Sequence, residues 1–339
     1  DERPGMAAAK GALAATAFVT LGKFCLSSPD LTKRLLPVFV RELSSNRAAA
    51  VRNNVLICMH DLSKRHTSLI DRHVPAIARA LGDASPLVRQ HAMLLLSQLL
   101  LEDYIKWKPP LLRAFSIALV DKEPSLRAAA HGCLFDLLLP RSPLLGFNGL
   151  LPLLFSLNGC VHAPHHPAAL PSVERSVVEL PGEGEQRRRL AILRSLLSNM
   201  DDEHKLQITS KLCHDVLAAV PDGQLNLEDG HWVLADALML LACKEIKLGA
   251  TGTGGEDEGE AEPATAGGAA AAAKSKLLSA VARKAMVESI VPIVIELKRH
   301  LEGARSPLLK DVFLFLRELL RDHKAHLQVR NTQNITRTM

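Results

Sequence analysis

"DASPLVRQHAMLLLSQLL", Asp83 to Leu100, returns 38 residues later as "DKEPSLRAAAHGCLFDLL", Asp121 to Leu138. A third stretch, "AAVRNNVLICMHDL" (Ala49 to Leu62), falls into register with them, and Arg52, Arg89 and Arg127 then share one column at spacings of 37 and 38. The segments in front also align. "LLPVFVREL" ends at Leu43, "HVPAIARAL" at Leu81 and "LLRAFSIAL" at Leu119, each 38 residues after the last. The unit is a helix, a short turn and a second helix, present at least three times between Leu35 and Leu139.

Two helices in a period near 40 are the signature of HEAT or armadillo arrays, so the expected fold is an all-α, HEAT-repeat α-solenoid of superhelical helix hairpins. Repetition has a physical cause. After Pro86, the residues Val88, Ala92, Leu95, Leu96 and Leu99 form one apolar stripe, which Met93, Leu94 and Leu100 widen beyond a single face. Such a helix needs neighbours on several sides, and stacked repeats supply them. Pro86 and Pro124 suit the first helical position, and Ser85 is placed to cap its helix.

The arginine column is costly. Arg89 and Arg127 stand in the first turn of a helix, where the macrodipole disfavours a cation by about 0.3–1 kcal/mol. A recurring unfavourable choice asks for a partner. Two readings are open: a ladder in which Asp83 and Asp121 pair with Arg89 and Arg127 within or between repeats, or a row of arginines facing an external anion.

Composition agrees with helices. Apolar residues make up 47% and aromatic residues only 4%, with Leu, Ala and Val dominant. The net charge of +5 permits an acidic partner without requiring one. Six cysteines, widely spaced and mostly inside apolar runs, read as buried free thiols of a reducing compartment. The chain opens at Asp1 without a leader and is expected to be a soluble, intracellular piece of something longer. Pro140, Arg141, Pro143 and Pro152 interrupt the apolar run from Leu134 to Leu157, so no membrane helix is expected there.

The array divides as follows: 1–157 as HEAT repeats, with "AAAKGALAATAFVTLGKFCL" an added helix at its start; 158–186 as a Pro/Gly-rich loop; 187–248 as helical continuation. An acidic, Ala/Gly-rich linker over 249–275 is expected to be disordered. A terminal hairpin follows over 276–327, with Ser306 and Pro307 opening its second helix, and 328–339 is a tail.

Chemistry is scarce. There is no Gly-rich phosphate loop, no G-x-S-x-G and no H-E-x-x-H, and neither enzyme activity, a cofactor nor a small-molecule substrate is expected. Cys160, His162, His165 and His166 crowd four soft ligands into seven residues, whereas structural zinc sites join two separated pairs; a polar loop that happens to hold histidines accounts for them. Basic pairs are more informative. Lys33 with Arg34, Lys64 with Arg65, and Lys106 with Lys108 sit near turns, and successive turns line one edge of a solenoid, which makes a basic stripe for duplex DNA phosphates. Arg187 to Arg189 form a further cluster. Tyr104 and Trp107, between apolar helices, fit packing better than base stacking.

Three ordered blocks carry a resemblance: "VRNNVLICMHDLSKRHTSLIDRHVPAIARALGDASPLVRQHAMLLLSQLLLEDYIKWKPPLL" from Val51, "DEHKLQITSKLCHDVLAAVPDG" from Asp202 and "SIVPIVIELKRHLEGARSPLLKDVFLFLRELL" from Ser289. Together they resemble the D-type HEAT subunits of condensin, and "YIKWK" is closer to the condensin II form. The loop from Cys160 to Gln186 and the linker after Gly249 lie outside these blocks and depart from the pattern, so the resemblance implies nothing there. The resemblance implies a non-enzymatic regulatory subunit in the nucleus, on chromosomes. Its implied partners are a kleisin, SMC ATPase subunits and double-stranded DNA or chromatin in mitotic condensation, with no membrane. It directs attention to Arg52, Asn53, Asn54, Arg89, Lys106, Trp107 and Lys108; with Lys64, Arg65 and Arg127 these cover the contact candidates. The alternative is an adaptor for transport or signalling partners. Armadillo adaptors repeat Trp and Asn in phase, whereas Trp107 and Trp232 here are out of phase with the period.

Overall fold

Helix starts are written locally. Ser28 Oγ accepts from Leu31 N at 3.3 Å and Pro29 opens the helix Pro29–Ser45 (α2), with α1 (Pro4–Ser27) before it. The computed structural model describes residues 4–160, 179–246, 286–319 and 321, and among these there is no β-strand. Next come α3 (Ala49–Arg65), α4 (Thr67–Ile70), α5 (Val74–Ala78), α6 (Pro86–Leu101), α7 (Pro109–Ala118) and α8 (Pro124–His131). A 3₁₀ turn separates α4 from α5, and α8 runs on as a π-helical segment, Gly132–Leu138. After α9 (Leu144–Leu157) follow α10 (Gln186–Ser198), α11 (Asp202–Leu212), α12 (Leu227–Leu241), α13 (Val291–Gly303) and a last helix, α14, over 309–319.

The described residues fall into two units that divide inside α9, one over 4–145 and one over 146–321. In the first, α2, α5 and α7 pack side by side as one layer, and α1, α3, α6 and α8 form the second. Each first-layer helix also packs on the second-layer helix that follows it. This is the expected all-α HEAT solenoid, and α1 takes the place of the second helix of a preceding repeat. α1 and α3 come so close at Gly22 that a Cβ there would lie 2.5 Å from Cys58 Sγ. Leu36, Phe39, Val55, Met59, Ile77, Met93, Leu96 and Phe115 are sealed between the layers. In the second unit, Ile192, Leu193, Leu212, Val216, Val233, Leu238, Val294 and Leu297 form the core.

Some local expectations need correction. Ser85 makes no capping bond; Asp83 Oδ1 accepts from Ser85 N at 2.7 Å and does the turn's work instead. Leu94 widens the apolar face of α6 in sequence, yet it is 53% exposed, because a helix with neighbours on both flanks still has one outer side. Pro307 lies in a turn and α14 starts two residues later. All six cysteines are buried and free. Of the proposed metal ligands only Cys160 is described; His162, His165 and His166 lie outside the described residues, as do the linker 249–275 and the tail 328–339. No helix among the described residues is long and apolar enough to cross a membrane.

Candidate functional site

The turns inside the hairpins carry the arginine column. Arg52 Nε donates to Asp83 Oδ2 at 2.7 Å and Nη2 to Oδ1 at 2.6 Å, while Nη1 donates to the carbonyls of Asn46 and Arg47 at 2.7 and 3.2 Å. One repeat on, Arg89 Nη2 donates to Asp121 Oδ1 at 2.9 Å, and Nε lies 2.8 Å from Oδ2 as an ion pair out of line for a hydrogen bond. Its Nη1 donates to the carbonyls of Asp83 and Ala84. Two side-chain rungs are present, Arg52 with Asp83 and Arg89 with Asp121, in place of the expected Arg89 with Asp83 and Arg127 with Asp121. Each aspartate takes the arginine of the repeat before it, and the arginine of its own repeat binds its backbone carbonyl. The reason is reach: Nη1 is needed at home to close the turn, so the Nε–Nη2 edge faces the next repeat.

Each aspartate is fully employed. Asp121 Oδ1 accepts from Glu123 N at 2.9 Å, as Asp83 does from Ser85 N. All four pairing side chains are about one-tenth exposed, so the fork geometry is held in a partly dry setting. Hydrogen bonding to Asp83 raises the Arg52 guanidinium above its usual value, against the opposing effect of burial. The column begins with Asn46, whose Oδ1 accepts from Ala48 N and whose Nδ2 donates to Glu42. That bond, and then Arg41, hold the Glu42 carboxyl below its usual range. Arg127 ends the column. Its Nη1 donates to the carbonyls of Asp121 and Lys122 at 2.8 and 3.1 Å, it is exposed, and no carboxylate among the described residues pairs with it.

The turns between hairpins lie side by side along the opposite edge, as two cross-turn contacts show. Lys64 Nζ sits 2.7 Å from Glu102 Oε2 and 5.7 Å from the Tyr104 ring centroid. Lys108 Nζ donates to both Asp71 carboxylate oxygens at 2.9 and 2.8 Å. Two members of the expected basic stripe therefore have carboxylate partners, and Lys33 stands 3.6 Å from Asp30. Arg65 and Lys106 are exposed on the same edge and Arg34 in the second turn of α2, none of them with a carboxylate partner among the described residues. Trp107 packs edge-on to Phe115 at 5.7 Å, and Tyr104 is half-buried under Lys64, so both aromatics serve packing.

Asn53 and Asn54 hold neighbouring helices. Asn53 Oδ1 lies 2.6 Å from His91 Nδ1 on α6, and Asn54 Nδ2 donates to Ala15 O on α1. Between them Ile57 faces outward, 37% exposed, and Leu94 takes the same place one repeat later.

In the second unit lies a site that the sequence does not announce. Arg189 and Asp236 are both fully buried, joined by Nε to Oδ2 at 2.5 Å and Nη2 to Oδ1 at 3.2 Å. Arg189 Nη1 donates to the carbonyls of Leu180 and Gly182, Asn158 Nδ2 donates to Asp236 Oδ2, and Trp232 lies 5.9 Å from the guanidinium carbon. A signal is nonetheless present: Arg189 shares a helical face with Ile192, Leu193 and Leu196, where a charge demands a buried partner.

The geometry is that of a repeat scaffold with two structured edges, and among the described residues no cluster of ligating side chains could hold a metal ion. The family of non-SMC mitotic condensation complex subunit 1 matches residues 50–227, and two families described as condensin-2 complex subunit D3-like HEAT repeats match 6–43 and 244–330. The chain is 36% identical over 320 residues to "Condensin-2 complex subunit D3-L" of Xenopus laevis, covering 93% of this chain and 21% of that protein. It is 37% identical over 318 residues to "Condensin-2 complex subunit CAP-D3" of Arabidopsis thaliana, covering 92% and 24%. Against "Condensin-2 complex subunit D3" of Mus musculus it is 34% identical over 329 residues, covering 96% and 22%. The chain thus spans between a fifth and a quarter of the length of these curated relatives. It belongs to the D-type, non-SMC HEAT subunits of condensin and is closer to the condensin-2 form than to condensin 1.

Proposed function

We propose that this segment is a non-enzymatic scaffold of condensin II that holds a kleisin chain and duplex DNA while SMC subunits supply the ATPase, in the nucleus and on chromosomes. The observation that carries the reading is the edge of inter-hairpin turns, where Arg65 and Lys106 stand exposed without carboxylate partners among the described residues, with Arg34 likewise exposed in the second turn of α2. Repeating turns space these cations along a line, and a line of cations displaces counterions from a phosphate backbone. Lys64 and Lys108 contribute less, because each already faces a carboxylate. For the kleisin, the support is the outer face of the second layer, where Ile57 and Leu94 recur one repeat apart and offer an extended peptide evenly spaced apolar anchors.

The test is duplex DNA binding as a function of salt. Reversing Arg34, Arg65 and Lys106 to Glu lowers affinity and flattens the log–log salt dependence by about 0.9 for each phosphate that is no longer neutralised. Reversing Lys64 and Lys108 has the smaller effect. Unchanged affinity in the first triple variant removes DNA from the proposal. Copurification of the chain with transport factors, and with no kleisin segment, would favour the adaptor reading.

A further inference from the structure

We propose that Arg127 is an open carboxylate socket, the last rung of the ladder, filled by an aspartate or glutamate from an acidic segment of a partner protein. The chain contains two worked examples of the site. Arg52 and Arg89 each fix Nη1 on two carbonyls of their own turn and present Nε and Nη2 to a carboxylate. Arg127 reproduces the first half, with Nη1 on Asp121 O and Lys122 O, so its free edge is oriented before any ligand arrives.

The two ends of the column differ in a way that capping alone does not explain. One period before Arg52 the chain has Ala14 and Ala15, and there the aspartate column holds a neutral amide, Asn46, satisfied by its own neighbours. Where no arginine reaches across, no carboxylate is kept. One period after Asp121 the sequence reads Asn158 and Gly159, without a carboxylate, yet the arginine is kept. Lys122 and Glu123 beside it are both exposed and offset each other, and Asp121 is taken by Arg89, so Arg127 sets the sign of the site.

Carboxylate is favoured over phosphate on two counts. Both occupied rungs take a carboxylate edge-on. Arg127 also lies on the edge of the intra-hairpin turns, opposite the inter-hairpin edge where the DNA-binding cations are proposed.

The probe is the chain's own ligand, a synthetic decapeptide of Ala80–Arg89 containing Asp83, titrated into the ¹⁵N-labelled chain while the backbone amide resonances of the turn around Arg127, which persist in every variant, are followed. The turn is expected to respond in the millimolar range. An Asp83→Asn peptide should bind about tenfold or more weakly, since it lacks the charge. Arg127→Gln should abolish the response. Arg127→Lys, which keeps the charge and loses the fork, should weaken it by about tenfold and guards against a folding defect in the first variant. The proposal is overturned by no response up to about 10 mM peptide, tenfold above the low millimolar affinity expected of a pre-oriented fork. It is equally overturned by an Asn peptide that binds as well, by a response to short duplex DNA alone, or by Arg127→Lys that binds unchanged.

Discussion

Arg52 and Arg189 use their guanidinium groups in the same way in two different settings. Each spends Nη1 on two backbone carbonyls of the preceding turn and gives Nε and Nη2 to an aspartate. The first pair is about one-tenth exposed and recurs with the repeat; the second is fully buried and occurs once. At the repeat edge, water still reaches the charges, so the pair gains little net energy but penalises any slip of one hairpin against the next. In the second unit the desolvation cost is met in full, and Asn158 is recruited as a third donor to satisfy Asp236. A periodic array can divide registration among many modest pairs, whereas a single crossing of non-repeating helices concentrates it in one.

The largest effect separates these cases. Asp236→Asn leaves Arg189 buried without a counter-charge and should cost about 3–5 kcal/mol in chemical denaturation. The double replacement Arg189→Met with Asp236→Leu should recover most of that loss, since matched apolar groups avoid the desolvation cost. A single variant that unfolds no more easily than the parent would mean the clamp is no keystone.

The ladder is legible in the sequence because it is periodic and because a cation in a helix's first turn is an anomaly that calls for an anion. Its offset is not legible: Arg89 and Asp83 are near in sequence, and only the geometry of Nη1 assigns Asp83 to Arg52. Arg189 is hidden inside "RRR", where Arg187 is exposed and Arg188 lies 2.7 Å from Glu185. Its partner is 47 residues away with no repeat to point to it. Lys64 and Lys108 read as free charges because Glu102 and Asp71 become their neighbours only when successive turns are stacked. Leu94 misleads for a different reason, since composition does not distinguish an apolar residue in the core from one on an outer face.

A smaller effect tests the ladder itself. Asp83→Asn keeps the shape and removes the charge, and should cost about 2 kcal/mol, less than the buried case because water screens what remains. In a double-mutant cycle with Arg52→Gln the coupling should be about 1–3 kcal/mol. Asp121→Asn with Arg89→Gln should give a similar value if the rungs are equivalent. A coupling near zero at both rungs would show that the arginines matter only through their turn carbonyls.

The smallest effect uses the buried thiols to compare the units under one perturbation. Burial pushes the Cys213 thiol, in the second unit, up to about 12, and burial with help from Asp61 and Cys25 pushes Cys58, in the first, up to about 11. A raised folded value means the native state holds the proton after the unfolded chain has released it. That contribution is complete below the ordinary value of 9 and is lost as pH climbs from there through about 11 and about 12. Raising the pH from 8 to 10 should therefore lower stability by about 1 kcal/mol per buried thiol, and Cys213→Ala should lessen the decline. At pH 8 neither thiol reacts while it is closed in, so the labelling rate of Cys213 reports opening around the clamp and that of Cys58 reports opening around the ladder. Asp236→Asn should speed the first and Asp83→Asn the second; a variant that speeds neither thiol at its own site removes that ion pair from the residues that hold its unit closed.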